Sequence, residues 1–252
     1  MIARERLIVA LDLPTAARAL MVARRLAGLV RLVKVGSVLF TQGGPESLAQ
    51  LRAMGFQIML DLKFYDIPST VEASCRAAAR HRVALLTVHA SGGRAMLEAA
   101  VRGSRDEARR RRTAAPRVLG VTVLTSEPRK GRHVDRRVAS LAMEAVRAGC
   151  DGVVASAQEA RALRRRLGRR PLLICPGIRP SGAAVGDPST RVARSGSSRA
   201  TSRDDQQRVA TPTNALQQGA DYLVVGRPIT AARDPRAAAQ RIVQEMEVAA
   251  AC

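Results

Sequence analysis

The sequence predicts an α/β protein folded as one (β/α)8 TIM barrel, and three observations predict it. Eight short runs rich in Val, Leu and Ile alternate with helix-length amphipathic segments. Such alternation specifies a parallel sheet covered by helices. Most of the runs lack clean polar/apolar alternation, as expected of strands buried on both faces. The chain has 252 residues, close to the length one barrel of this kind needs. Eight units in series favour a closed barrel over an open doubly wound sheet, which stays open as an alternative. Residues 1–252 are expected to form a single catalytic domain.

In chain order the strand-like runs are 7–11, 32–35, 57–62, 84–89, 118–124, 152–155, 172–175 and 222–225. The helical segments between and after them are 15–27, 45–54, 69–82, 94–112, 134–148, 158–167, 212–218 and 235–249. Several end at a glycine, as in Met54-Gly55, Ala148-Gly149 and Gln218-Gly219. Glycine takes the left-handed conformation that stops a helix. The segment 181–203 breaks the rhythm: it is rich in Ser, Gly and Arg and nearly free of large apolar residues. With its flanks it reads as a long loop after the seventh strand, and loops of that length are commonly functional or disordered.

Composition narrows the function classes. The formal net charge is +21, carried by 39 Arg and only 3 Lys. Runs such as 109–112 and 164–166 read as exposed helix faces, which makes the surplus first of all a solvated surface. Aromatic residues make up 2% of the chain, with no Trp. That scarcity argues against base-stacking nucleic-acid binders, so nucleic acid is not an expected partner. The four cysteines, Cys75, Cys150, Cys175 and Cys252, have no metal-type spacing and read as reduced thiols. No apolar stretch is long enough to span a bilayer, and no secretory signal opens the chain. A cytoplasmic protein is expected.

In a barrel of this type reactive groups stand at the carboxyl ends of the strands. Those ends carry Asp12, Lys34, Asp61 with Lys63, His89, Thr125, Ser156, Arg179 and Arg227. The lysines are informative in a chain that otherwise uses Arg, because an ammonium can give up a proton and a guanidinium cannot. Asp61 and Lys63 are two residues apart on one strand, so both side chains face the barrel axis. Spacing alone leaves a structural salt bridge as an equal reading of this pair.

The run Asp61-Leu62-Lys63-Phe64-Tyr65-Asp66-Ile67-Pro68 resembles the signature of the orotidine 5′-phosphate decarboxylase family. The resemblance extends along nearly the whole chain, through Val9-Ala10-Leu11-Asp12, Val33-Lys34-Val35-Gly36, Val88-His89-Ala90, Leu124-Thr125-Ser126, Pro176-Gly177-Ile178-Arg179-Pro180, Asp205-Gln206-Gln207 and Val225-Gly226-Arg227-Pro228. It implies decarboxylation of orotidine 5′-monophosphate to UMP, the closing step of pyrimidine biosynthesis, with no cofactor and no metal. It implies that Lys34, Asp61, Lys63 and Asp66 form an alternating charge network. Asp66, Ile67 and Thr70 would come from the partner subunit of a homodimer. Asp12 and Lys34 would hold ribose hydroxyls together with Thr70, and Thr125 would lie near the base. Gln206, Gly226, Arg227 and the turn from Pro176 to Arg179 would hold the phosphate. His89 would orient its neighbours.

These residue types suit the reaction independently. Loss of CO2 from C6 leaves a localised carbanion in the ring plane, and no electron-sink cofactor is visible in the sequence. A fixed ammonium at Lys63 can stabilise that charge and then protonate it. Remote phosphate binding supplies energy to close loops over the reacting centre.

The chain departs from the family between Arg179 and Gln206, where about 18 residues, 188–205, read as a flexible insertion. Such an insertion adds little closure entropy. Two rivals remain at this level. A magnesium-dependent 3-keto-gulonate-phosphate decarboxylase would carry an acidic metal ligand where this chain has Lys34. A basic nucleic-acid-binding barrel without activity would use the +21 charge.

Overall fold

A computed structural model describes residues 2–124, 131–181 and 209–251, without the side chains of 131–133, 250 and 251. The strands are β1 (Leu7–Ala10), β2 (Leu32–Gly36), β3 (Gln57–Phe64), β4 (Leu85–His89), β5 (Arg117–Val121), β6 (Gly152–Val154), β7 (Leu172–Cys175) and β8 (Tyr222–Val225). They pair in parallel in sequence order, and β8 closes on β1 through Leu7 opposite Leu223 and Val9 opposite Val225. The expected closed barrel is therefore the one observed, and the open sheet is excluded.

The helices are α1 (Ala3–Arg6), α2 (Ala16–Leu26), α3 (Ser37–Ala53), α4 (Pro68–Arg80), α5 (Gly93–Arg111), α6 (Gly131–Arg147), α7 (Ala157–Leu167), α8 (Pro212–Gln217), α9 (Arg227–Thr230) and α10 (Pro235–Ala251). Their starts are written in local chemistry. Thr15, Ser156 and Thr211 accept backbone N–H groups in the first turns of α2, α7 and α8, and proline heads α4 and α8. Two short helices, α1 and α9, have too few residues to show a period and were not expected. Helix α3 begins at Ser37 instead of 45, because Gly44 takes a left-handed φ of 51° and joins two helical pieces across a kink. Strand β5 is shorter than expected and ends at Val121.

Two apolar layers explain why the strands read as continuous hydrophobic runs. Leu7, Val9, Val33, Val35, Ile58, Leu60, Leu86 and Val88 point outward and pack under the helices. Their neighbours Ile8, Leu32, Met59, Leu85, Leu119, Ile174, Tyr222 and Val224 fill the barrel interior. Toward the carboxyl ends the inward positions change character within two residues: Leu32 is followed by Lys34, Met59 by Asp61, Leu85 by Thr87. The apolar plug thus forms the floor of a polar mouth.

The helices run antiparallel to the strands, so their carboxyl termini gather at the opposite end. Arg24 and Arg25, Arg109–Arg111 and Arg164–Arg166 occupy last turns there. Cations are favourable at that end of the helix dipole. Cys75, Cys150 and Cys175 are buried thiols, and burial pushes Cys75 and Cys150 up to about 12.

Candidate active site

The site is assembled by β1 to β4. Strand register sets Ala10 beside Lys34 and Gly36 beside Asp61, bringing three neighbouring strand ends into one cluster. The Lys34 ammonium lies 2.7 and 3.0 Å from the two carboxylate oxygens of Asp12 and 3.3 Å from Asp61 Oδ2. Asp61 Oδ1 lies 3.0 Å from Lys63 Nζ. The result is an unbroken alternation Asp12–Lys34–Asp61–Lys63. Its centre is the more shielded part: the side chains of Lys34 and Asp61 are 10% and 11% exposed, those of Lys63 and Asp12 34% and 43%. Buried charges persist only when paired and hydrogen-bonded, and here each inner member has an opposite charge on both sides.

The electrostatics follow. Burial by itself would lower Lys34, but Asp61 and Asp12 outweigh it and hold the ammonium above its ordinary value. Burial would raise Asp61, but Lys34 and Lys63 outweigh it and hold the carboxyl below its ordinary value. Burial, reinforced by the charge of Lys63, lowers His89, which therefore stays neutral over a wider range. The His89 ring packs on Tyr65 with centroids 5.6 Å apart.

Lys63 reaches its place by a route that two-residue periodicity does not describe. Leu60 pairs with Leu86 and Phe64 with Val88, so residues 61–63 bulge opposite Thr87 alone. Lys63 has φ 51°, a conformation sparsely populated by residues with a Cβ. Its N–H donates to Thr87 Oγ1 at 3.0 Å, and the Thr87 hydroxyl donates to Asp61 Oδ1 at 2.9 Å. The convergence of Asp61 and Lys63 was legible in the sequence; the bulge was not.

Asp66 is not part of the cluster within one chain. It is exposed, it makes no ion pair among the described residues, and its Oδ1 accepts the Ile67 N–H at 2.6 Å. Ile67 and Thr70 are also exposed, at the start of α4, and Tyr65 and Ile67 are 62% and 64% open.

A second cluster forms at the ends of β7 and β8. Gly177 has φ 76°, a turn that a side chain would strain. After it, Ile178 bridges to Ala210: Arg179 N donates to Ala210 O at 3.0 Å and Ala210 N to Gly177 O at 3.1 Å. These bonds tie together the two sides of the seventh loop. Arg227 follows Gly226 and heads α9. Burial lowers Arg179, and the charge of Arg227 lowers it further. Pro176 is half-buried at the start of the same turn. Thr125, Gln206 and the expected insertion 188–205 lie outside the described residues.

Two contributors were missed in the sequence. Thr87 is fully buried and bonds both catalytic candidates. Its signal was available, because Leu85, Thr87 and His89 are the inward positions of β4. Gly36 matters by what it lacks: a Cβ there would collide with Asp12 Oδ1 and sit 2.9 Å from Lys34 Nζ. Among the described residues no group of three or more His, Cys, Asp or Glu side chains is placed to hold a metal ion, and no helix is long and apolar enough to cross a membrane.

Comparison with known proteins bears on this arrangement. A family model described as Orotidine 5′-phosphate decarboxylase / HUMPS family matches residues 5–242. Orotidine 5′-phosphate decarboxylase of Halorhodospira halophila is 44% identical over 97% of this chain and 97% of its own. That of Moorella thermoacetica is 42% identical over 98% of this chain and 94% of its own. The crystal structure of orotidine 5′-phosphate decarboxylase from Lactobacillus acidophilus superposes with a TM-score of 0.77 at 32% identity, covering 96% of this chain and 99% of that one.

Proposed function

The chain belongs to the orotidine 5′-phosphate decarboxylase / HUMPS family, and on that premise we propose that it decarboxylates orotidine 5′-monophosphate to UMP with Lys63 as cation and proton donor. The observation that carries the mechanism is the unbroken Asp12–Lys34–Asp61–Lys63 alternation in the barrel mouth.

Each group has a task that its chemistry suits. Arg179 and Arg227, with Gln206 and the backbone of Pro176 and Gly226, grip the phosphate, whose charge and acceptor oxygens suit guanidinium donors. Asp12 and Lys34 hold the ribose hydroxyls, and Thr125 borders the base. Asp61 stands beside the substrate carboxylate. The C6–carboxylate bond breaks, CO2 leaves, and the electron pair stays on C6 next to the Lys63 ammonium. Lys63 then transfers one proton to C6, giving UMP, and regains it from solvent. A preplaced ammonium stabilises the carbanion without reorganisation cost. Lys34 and Asp61 aim it and keep its surroundings neutral overall.

The proposed enzyme is a homodimer, with Asp66, Ile67 and Thr70 of the partner subunit completing the mouth. The exposed apolar surface of Tyr65 and Ile67 directly after the catalytic strand supports this reading. The magnesium-dependent rival is disfavoured by Lys34: its ammonium stands at the second strand end, where that chemistry needs an acid and where a cation would repel the metal.

The test follows loss of orotidine 5′-monophosphate absorbance. Wild type turns over with and without a metal chelator, and Lys63→Ala does not. Absence of turnover in wild type, or its abolition by chelator, overturns the proposal.

A further inference from the structure

Among the described residues, the one register shift between paired strands lies between β3 and β4, and it coincides with the chemistry. Between the pairs Leu60–Leu86 and Phe64–Val88, β3 spends three residues where β4 spends one. The backbone N–H of Lys63 therefore has no carbonyl across the ladder, yet it is held: Thr87 Oγ1 accepts it at 3.0 Å. A hydroxyl has one proton to give. With its oxygen engaged by Lys63 N, the Thr87 proton goes to Asp61 Oδ1 at 2.9 Å, the same oxygen that lies 3.0 Å from Lys63 Nζ. Thr87 is 0% exposed, so no water competes for either bond. One side chain thus holds the Lys63 main chain from one side and the carboxylate that aims the Lys63 ammonium from the other.

The geometry points to Thr87 as a positioning residue for the decarboxylation: its hydroxyl locks the bulge of β3 and fixes the angle at which Asp61 directs Lys63 toward the reacting carbon. This inference rests on the decarboxylase reading. The left-handed backbone of Lys63 is the kind of strain that persists only where neighbours over-determine it. Thr87 is the neighbour that does so. Without the hydroxyl the Lys63 N–H loses its acceptor and Asp61 Oδ1 loses a donor. The bulge can then relax toward a regular ladder, which would swing residue 63 away from the mouth.

Three variants of the full chain test this. Thr87→Ser and Thr87→Ala both delete the γ-methyl and differ only in the hydroxyl; Thr87→Val keeps the shape and removes the hydroxyl. Thr87→Ser retains kcat within about threefold, while Thr87→Ala and Thr87→Val lose about 10- to 100-fold, the scale expected when a reacting group is misplaced by about an ångström. KM for orotidine 5′-monophosphate moves by less than about threefold in all of them, because the phosphate and ribose contacts are elsewhere. A merely structural Thr87 would lower thermal stability in all variants and leave kcat of the folded fraction alone. Equal kcat for Thr87→Ser and Thr87→Ala, with wild type active, overturns the role of Thr87 and leaves the decarboxylase reading standing. An inactive wild type removes both. If Thr87→Val does not fold, the Ser and Ala pair decides the matter.

Discussion

Two charged clusters in this molecule are built from opposite materials. In the barrel mouth, two lysines and two aspartates alternate, with the shielded members in the middle. On the outer surface, Glu107 of α5 is enclosed by three arginines: Arg80 Nε at 3.1 Å, Arg110 Nη2 at 2.6 Å and Arg111 Nε at 2.7 Å. There the carboxylate is hidden, 2% exposed, and the guanidinium groups lie in water at 45% to 62%. The outer cluster pins the end of α5 to the end of α4. The inner one confines an ammonium to a single place. Arginine serves where charge and many donors suffice; lysine is kept where a compact cation must release a proton.

The largest expected break in this comparison is Lys63→Arg. It preserves charge and removes the transferable proton, and kcat falls by at least about 10³-fold, since proton donation and placement of the cation fail together. Arg80→Lys, the reverse exchange in the outer cluster, leaves kcat within about twofold. A Lys63→Arg enzyme with near-wild-type kcat would remove the proton-donor role. Gly36→Ala comes next. Its methyl group would enter the space of Asp12 Oδ1 and Lys34 Nζ, so kcat/KM falls by about 10- to 100-fold as the ribose contacts are displaced. Normal kinetics for that variant would mean that the mouth is looser than its packing indicates.

Sequence reading reached the inner cluster more easily than the outer one, for physical reasons. Strand ends in a parallel barrel converge whatever the loops do, so a charged residue after an apolar run, such as Lys34 after Leu32-Val33, already has an address. The motif around Asp61 then supplied the roles. The bulge at Lys63 could not be read, because a strand with an extra residue has the same local composition as one without it. Thr87 escaped for a related reason: a single threonine inside Leu85-Leu86-Thr87-Val88 looks like ordinary strand chemistry until its partner across the ladder is known. The start of α3 was missed because Gly44-Pro45 reads as a beginning, yet here it sits inside a kinked helix. The Glu107 cluster depends on α4 packing beside α5, with Gly103 set against the Glu72 backbone. No local pattern announces such a tertiary contact.

A smaller effect separates the clusters by pH. His89, lowered by burial and by Lys63, binds its proton less readily in the folded protein than its ordinary value of 6.5 allows the unfolded chain. The unfolded state then binds more protons as the pH falls below that value, and stability falls with it. Thermal melts from pH 7.5 to 5 therefore show a declining Tm in wild type and a flatter profile in His89→Gln. Identical slopes would show that His89 is not held neutral by its surroundings.

The smallest effect on activity, and the cleanest contrast, belongs to Glu107→Gln. Bonds from Arg110 and Arg111 hold the Glu107 carboxyl down to about 2, below its ordinary 4.5. A carboxyl depressed in this way stabilises the folded state fully above the ordinary value and loses that contribution as the pH falls toward the folded one. Glu107→Gln accordingly lowers Tm by an amount that is constant from pH 8 to about pH 5 and narrows below 4.5, where wild type begins to lose the same interaction. Because the guanidinium groups are solvated, added salt shrinks the difference. kcat does not move, since nothing in the α4–α5 cluster touches the mouth. A Tm difference independent of both pH and salt would assign the loss to packing of the α5 end instead of charge, and a loss of kcat would mean that the outer surface and the barrel mouth are coupled after all.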